Sequence, residues 1–524
     1  MLIERKIVSD GPNDLRAHFS NKWGVYSPED QTITWTADNN RVRIVSYPQG
    51  RSGTYMYQPN ENGNYLGKML ALAKKAAEER GEGVFSQTVI TGTWPYRKAM
   101  HWHVFFDPRL TPIVTSFSRY PQAEDYVLNA EFDPSLKNDL ATPYNSSLSK
   151  QMVHKVGLFL SSFGLPPESY AVLHKSIRDY FKTCKPNYNE WAEFADQIFF
   201  KIQAEKNEFL EGHAYFSTMA WATVSKFILG VPEAEFVDHA HIWNALFQPT
   251  KGMCPQMYAK MCFSKMESYV LKQIRGTQEK FDNKEEIPAT IIHYWIQNNI
   301  AFEIIKKLPE SDLQQACEIA KNRDMTIEEM VYVDNFFGVM IGMQETIAFT
   351  LTQIACHFAR DELLATRCKN NLNDCSKMVN EALRFMPPAG ISRELRWDSD
   401  VVDGENIYHA NKGDQFITMP ALTMHLDEFT PEHADFDIDR THINSHAFSE
   451  GPHKCPGQLP ALGWLAALTH KLAHYEFTKQ DMKEPDYFVA FILRDGDRKF
   501  KMSLPGHAEE SYSSSEEQLL TFMF

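Results

Sequence analysis

Short stretches of alternation and long stretches of helical spacing divide this chain. From Thr32 to Val45 apolar and polar residues alternate (TITWTA, then RVRIV) around Asp38-Asn39-Asn40, which predicts a β-hairpin. Tyr47-Pro48-Gln49-Gly50-Arg51 follows as a turn-rich boundary. From Tyr65 to Arg80 apolar residues fall at helical spacing, and Val84 to Thr93 and His101 to Phe106 then read as strands. Amphipathic helices are expected over 187–211, 214–230, 255–281, 310–323 and 327–359, with another directly after Gly457. The pattern predicts a mainly α fold with small β-sheets in one large domain at 48–505, after an extension at 1–47 that holds the hairpin. A tail at 506–524 closes the chain, its Glu509–Glu517 stretch rich in Ser and Glu.

A 524-residue chain with 43% hydrophobic residues can bury a large core. The net charge of −15 and pI near 5.7 exclude nucleic acid as the expected partner. No two of the eight cysteines stand in C-x-x-C spacing, and their scatter is unlike a disulfide framework, so a reducing compartment is expected. The first twenty residues carry charges among their apolar positions and read neither as a secretory signal nor as a transmembrane anchor. A soluble, cytoplasmic protein is the expectation, with peripheral membrane contact left open.

The segment with most chemistry runs from Ala447 to Gly457, AFSEGPHKCPG, immediately before a helical pattern. It sets Cys455 in a turn shaped by Gly and Pro at the mouth of a helix, where unpaired N–H groups and the helix dipole favour negative charge. That setting is expected to lower the thiol pKa and stabilise a thiolate ligand. Gly451 permits an unusual turn, Gly457 permits close approach to a flat cofactor, and Phe448 can shield the sulfur. A buried structural cysteine is the competing explanation, but F-x-x-G-x-x-x-C-x-G is complete at Phe448, Gly451, Cys455 and Gly457.

This loop resembles the haem-binding loop of the cytochrome P-450 family. The resemblance implies that Cys455 is the axial ligand of haem b (iron protoporphyrin IX), where a thiolate favours O–O cleavage. Further stretches resemble the family in the same chain order. Glu381 and Arg384 share a helix face and precede Pro387-Pro388, which implies a buried structural pair completed by Arg440 of FDIDR. Arg393 and His453 stand where the family places partners for the haem propionates. Lys150 and His154 are stand-ins for further propionate contacts that the family makes from an early helix.

Upstream, Val331 to Ala359 reads as a long apolar helix with Gly342-Met343-Gln344-Glu345-Thr346 at its centre. It resembles the family's A/G-G-x-D/E-T motif, departing from it at Met343. One account has Glu345 facing solvent and Thr346 bonded back to a carbonyl one turn earlier. The other has both relaying protons to dioxygen. Phe337, Met340, Ile341 and Gly342 on this helix, with Ala389, Gly390 and Ile391 after the double proline, are expected substrate contacts by resemblance. The pairs His101/His103 and His239/His241 lack a third ligand nearby and read as partly exposed histidines.

The resemblance therefore implies a monooxygenase that inserts one atom of dioxygen into an apolar organic substrate. No dinucleotide-binding or iron–sulfur motif is found, so electrons are expected from a separate ferredoxin, flavodoxin or flavoprotein reductase. A reductase-independent isomerase or peroxygenase acting on an oxidised lipid, and a non-catalytic haem sensor, are the alternatives.

Overall fold

The structure is a computed structural model. It describes residues 158–230 (163 and 185 apart), 255–395, 399–403, 406–410, 414–426 (425 apart), 435–440, 447–449 and 454–481. It also describes residues 3–5, 24–27, 32–35, 41–46, 73–74, 76–77, 83–91, 98–111, 114, 127–128, 141–142, 486–489, 492–494 and 499–505.

The fold is mainly α with small sheets, as expected from the sequence. Eight helices position the site: α1 (Pro167–Cys184), α2 (Tyr188–Ala195), α3 (Gly212–Leu229), α4 (Pro255–Asp282), α5 (Ile327–Phe358), α6 (Glu362–Asn370), α7 (Leu372–Phe385) and α8 (Gln458–Leu472). The hairpin strands Thr32–Trp35 and Arg41–Ser46 pair antiparallel, Thr32 opposite Arg43. The second of them also pairs parallel with Val84–Thr91, so both belong to an eight-stranded sheet.

The central helix α5 has 32 residues and begins at a capping box, in which Thr326 Oγ1 accepts from the Glu329 N–H and the Glu329 carboxylate accepts from the Thr326 N–H. Such a cap is worth about 1 kcal/mol. Helix α3 lies along α5, and α7 packs against both α5 and α8. A Cβ at Gly212 would collide with the Phe500 ring and come within 3.1 Å of Thr352 Cγ2, so the absence of a side chain seats the start of α3 against α5.

Two stretches differ from the expected helices. The single helix expected over 187–211 is broken into α2, a π-turn at Asp196–Phe200, a short helix at Lys201–Lys206 and a strand at Phe209–Glu211. Asn207 ends the helical part in the left-handed conformation (φ 55), which favours Asn over most side chains. Conversely α1 was not anticipated, although Pro167 at its first position and Glu168 in its first turn are helix-start signals. His103, expected to be partly exposed, is buried, with Nε2 3.2 Å from Asp414 Oδ2. The sheet register explains this: His103 sits opposite Phe416 in a strand flanked on both sides.

Asp334 of α5 holds the segment before α1. Its Oδ2 accepts from the Leu160 N–H at 2.7 Å, and Arg323 Nη1 lies 2.8 Å from Oδ1. Burial pushes the Asp334 carboxyl up to about 6, against the pull of Arg323. A folded-state pKa above the unfolded value of 3.8 favours the protonated form in the folded protein. The contribution of Asp334 to stability is therefore fully present at acid pH and lost as pH rises through about 6. Urea midpoints of the wild type, relative to those of Asp334→Asn, should fall between about pH 4 and about pH 7. A difference independent of pH would contradict the assignment.

Candidate active site

The Glu381–Arg384 pair forms as the i, i+3 spacing on α7 implies, and it is buried. Arg384 donates through Nε to Glu381 Oε2 at 2.8 Å and through Nη2 to Oε1 at 2.7 Å. The Phe436-Asp437-Ile438-Asp439-Arg440 segment closes over them. Arg384 Nη2 and Arg440 Nη2 both donate to the Asp435 carbonyl at 3.0 Å, and the Asp437 N–H donates to Glu381 Oε1 at 3.0 Å. Arg440 Nε lies 3.5 Å from Glu381 Oε1. His357 of α5 stacks on Phe436 at 3.5 Å between ring centroids, which ties this cluster to the central helix.

The cysteine loop is closed by its own backbone. The Cys455 N–H donates to the Phe448 carbonyl at 2.8 Å. Ser449 takes the left-handed conformation (φ 59) at this turn, while Gly451 and His453 lie outside the described residues. Phe448 is half-buried and packs against the core. Cys455 immediately precedes α8, of which Gly457 is the N-cap. Burial pushes the Cys455 thiol up, and the Gly457 N–H aimed at the sulfur pulls it down. The expected lowering by the helix start is thus outweighed by desolvation, and the positive charge of a bound iron would favour the thiolate.

The central helix is open on one stripe. Most of α5 is buried, yet Gly342 is exposed and Val339, Met343 and Thr346 are half-exposed, at the spacing of one helix face. A Cβ at Gly342 would meet nothing within 4 Å. Thr346 Oγ1 donates to the Gly342 carbonyl at 2.9 Å, the back-bonded form anticipated for it. Glu345 does not face solvent. It is buried, with Oε2 2.7 Å from His213 Nε2 and Oε1 accepting from Ser217 Oγ at 3.2 Å, both partners on α3.

Phe337 and Met340 lie in the core rather than on the open stripe: both are 0% exposed, Phe337 beside Phe336 and Met340 with its sulfur 4.0 Å from Ser225 Oγ. Ala389 and Gly390 are half-buried ahead of strand Ile391–Leu395. Ile341 is placed as a position of α5, and Ile391 and Arg393 as strand positions opposite Thr418 and Phe416. Lys150 and His154 lie outside the described residues.

Two site residues were not anticipated. His213 is one, hidden because nothing in the sequence joins it to Glu345. His174 of α1 is the other. Its Nε2 donates to the Lys454 carbonyl at 2.6 Å, one residue before the cysteine, and its ring lies 5.5 Å from that of Tyr170. Tyr170 and His174 stand four residues apart, on one face of α1.

The donor set fits haem. Among the described residues no group of three or more His, Cys, Asp or Glu could hold a metal ion, as zinc would need. A flat cofactor bound through one thiolate needs a single sulfur at a helix mouth and room on a facing element. Cys455 supplies the first, and Gly342, exposed on α5 with nothing within 4 Å of a Cβ built there, leaves room on the central helix.

Comparison with known proteins agrees. A family model described as cytochrome P-450 matches residues 236–502, about half of the chain and including the cysteine loop. CYP108D1 from Novosphingobium aromaticivorans aligns at 16% identity over 84% of this chain and 95% of its own, with a TM-score of 0.56. The cytochrome P-450 PksS of the Bacillus subtilis 168 bacillaene polyketide synthase aligns at 14% over 83% and 97%, also at 0.56. A retinoic-acid-bound cyanobacterial CYP120A1 aligns at 13% over 82% and 93%, again at 0.56. No curated protein matches the chain. At such identities the solved structures speak for the fold alone, and the family model carries the assignment. With the thiolate loop, the buried Glu–Arg cluster and the family match in agreement, this chain belongs to the cytochrome P-450 family and is a haem-thiolate monooxygenase.

Proposed function

We propose that the enzyme hydroxylates or epoxidises an apolar organic substrate, drawing electrons from a separate ferredoxin, flavodoxin or flavoprotein reductase. The observation that carries this reading is the open stripe Val339–Gly342–Met343–Thr346 on an otherwise buried helix. Two apolar side chains, a bare backbone and one hydroxyl suit an apolar substrate beside the site of oxygen activation. The haem, when bound through Cys455, supplies the activation of dioxygen. Thr346 offers its hydroxyl on the open stripe, and the buried carboxylate of Glu345 holds or passes a proton at Oε2. Ala389 and Gly390 border the substrate, and Arg393 and His453 pair with the propionates, with Lys150 and His154 adding to them.

In this reading residues 48–505 form the catalytic unit, and residues 1–47 and 506–524 are its extension and tail. The protein acts in the cytoplasm; no helix among the described residues is long and apolar enough to cross a membrane.

Thr346→Ala tests the reading. Product formed per electron should fall by roughly tenfold or more, with the missing electrons recovered as peroxide, because proton delivery is worth that much or more to a rate. An unchanged product yield would remove Thr346 from the relay. Turnover sustained by peroxide alone, with no electron donor, would point instead to a peroxygenase.

A further inference from the structure

We propose that His213 is the residue that loads Glu345 with protons, so that the acid of the central helix is served through α3. The inference rests on the relay role proposed for Glu345 and adds its source.

Three observations carry it. First, the contact is direct and dry: His213 Nε2 lies 2.7 Å from Glu345 Oε2, with His213 2% and Glu345 8% exposed. Second, the carboxylate is held for transfer. Ser217 Oγ donates to Oε1 at 3.2 Å, and Gln344 Nε2 donates to Ser217 Oγ at 2.6 Å, while Oε2 faces the imidazole. Third, His213 Nδ1 is buried and has no partner among the described protein atoms. Buried polar atoms are almost always satisfied, so this nitrogen is the position at which a proton carrier from solvent would meet the ring. The ring thus has Glu345 on one nitrogen and an unsatisfied position on the other. Its position is set by Gly212, where any side chain would meet Phe500 and Thr352.

Unlike the side chains of Lys and Arg, an imidazole readily both gives up and takes up a proton. From the imidazolium form the Nε2–H bond breaks, an O–H bond forms at Oε2, and the ring becomes neutral. The neutral ring keeps its proton on Nδ1; it turns over so that the bare nitrogen lies away from Glu345, and a hydronium from solvent returns the proton there and becomes water. Glu345 is the one ionisable group bonded to His213 among the described residues. The strand pair beside the start of α3 brings Glu211, Lys499 and Lys501, of which Glu211 and Lys499 are exposed. Helices α2, α4 and Ile291–Gln297 also pack on α3. Glu190, Glu193 and His293 on them make no bond to His213.

The test uses the haem-loaded full chain carrying His213→Gln or His213→Asn. Each keeps an amide N–H for Glu345 but cannot ionise, and the reduced carbon-monoxide spectrum of each verifies that the haem site is intact. The infrared band of protonated Glu345, assigned by its loss in Glu345→Gln, is followed against pH. Loss of the imidazolium should raise the proton affinity of Glu345 by about tenfold or more, as removing an opposite charge at this distance does. With a surrogate ferredoxin and its reductase, peroxide released per electron should rise with pH in the wild type. In both His213 variants it should be high and independent of pH. A variant with the wild-type infrared midpoint and the wild-type pH profile would show that His213 merely holds Glu345 in place, overturning the proposal. If Glu345→Gln itself releases no extra peroxide, the relay reading falls and the proposal with it. If Glu345→Gln leaks and the His213 variants do not, the relay stands and His213 is removed from it.

Discussion

Cys455→Ala is expected to abolish the strongly red-shifted Soret band that the reduced protein shows with carbon monoxide, and with it all oxygen insertion. That band would report a thiolate bound to the iron, and the geometry leaves little to substitute for the sulfur. Cys455 is half-buried at the mouth of α8, with the Gly457 N–H directed at it. His174, an imidazole bonded to the loop, has its Nε2 engaged by the Lys454 carbonyl at 2.6 Å. The loop itself should survive, because the bond that closes it runs from the Cys455 backbone to Phe448 and does not involve the sulfur. Folded protein with weak or absent haem absorption is therefore the expected product. A red-shifted band of wild-type intensity in the variant would mean that another residue ligates the iron.

Arg384→Ala is expected to cost more stability than any other single change in the site. Arg384 is 2% exposed and holds both oxygens of Glu381, itself 5% exposed, while also bonding the Asp435 carbonyl. Its removal leaves a buried carboxylate facing, among the described residues, the Asp437 N–H and the more distant Arg440 Nε. Breaking a buried pair on one side costs about 3–5 kcal/mol, since the remaining charge keeps its desolvation penalty and loses its partner. Arg384→Lys should recover little of this, because an ammonium cannot make the parallel two-bond contact. The consequence reaches the haem site, as α7 packs against the cysteine helix α8 and Phe436 stacks on His357 of α5. Purified Arg384→Ala should show a lower thermal midpoint and reduced haem content. A variant with the wild-type midpoint would show that the cluster is not a structural support.

The two predictions differ in what they remove. One deletes a ligand and spares the fold. The other deletes a support and loses the ligand's setting with it.

Local pattern determined much of this protein. Helix bounds over 214–230, 255–281, 310–323 and 327–359 lie within two residues of α3, α4, Glu310–Asn322 and α5. This is so because amphipathic spacing and caps such as Thr326 act within a few residues. The turn at Cys455 and the shared helix face of Glu381 and Arg384 were legible for the same reason: turn chemistry and i, i+3 spacing are local facts. The burial of that pair and the Arg440 contribution were legible only through the family resemblance.

What the tertiary structure decided are the contacts between segments distant in sequence. Glu345 and His213 stand 132 positions apart, and nothing near either residue announces the other. The same holds for His174 and Lys454, 280 apart. Periodicity placed Phe337, Met340, Val339 and Met343 on one apolar helix, but it could not say which face meets the core. That depended on α3 packing along α5, made possible where Gly212 lacks a side chain. A sequence specifies where its own chain turns; which buried charge finds which partner is settled only when helices meet, because desolvation penalises every arrangement that leaves a charge alone.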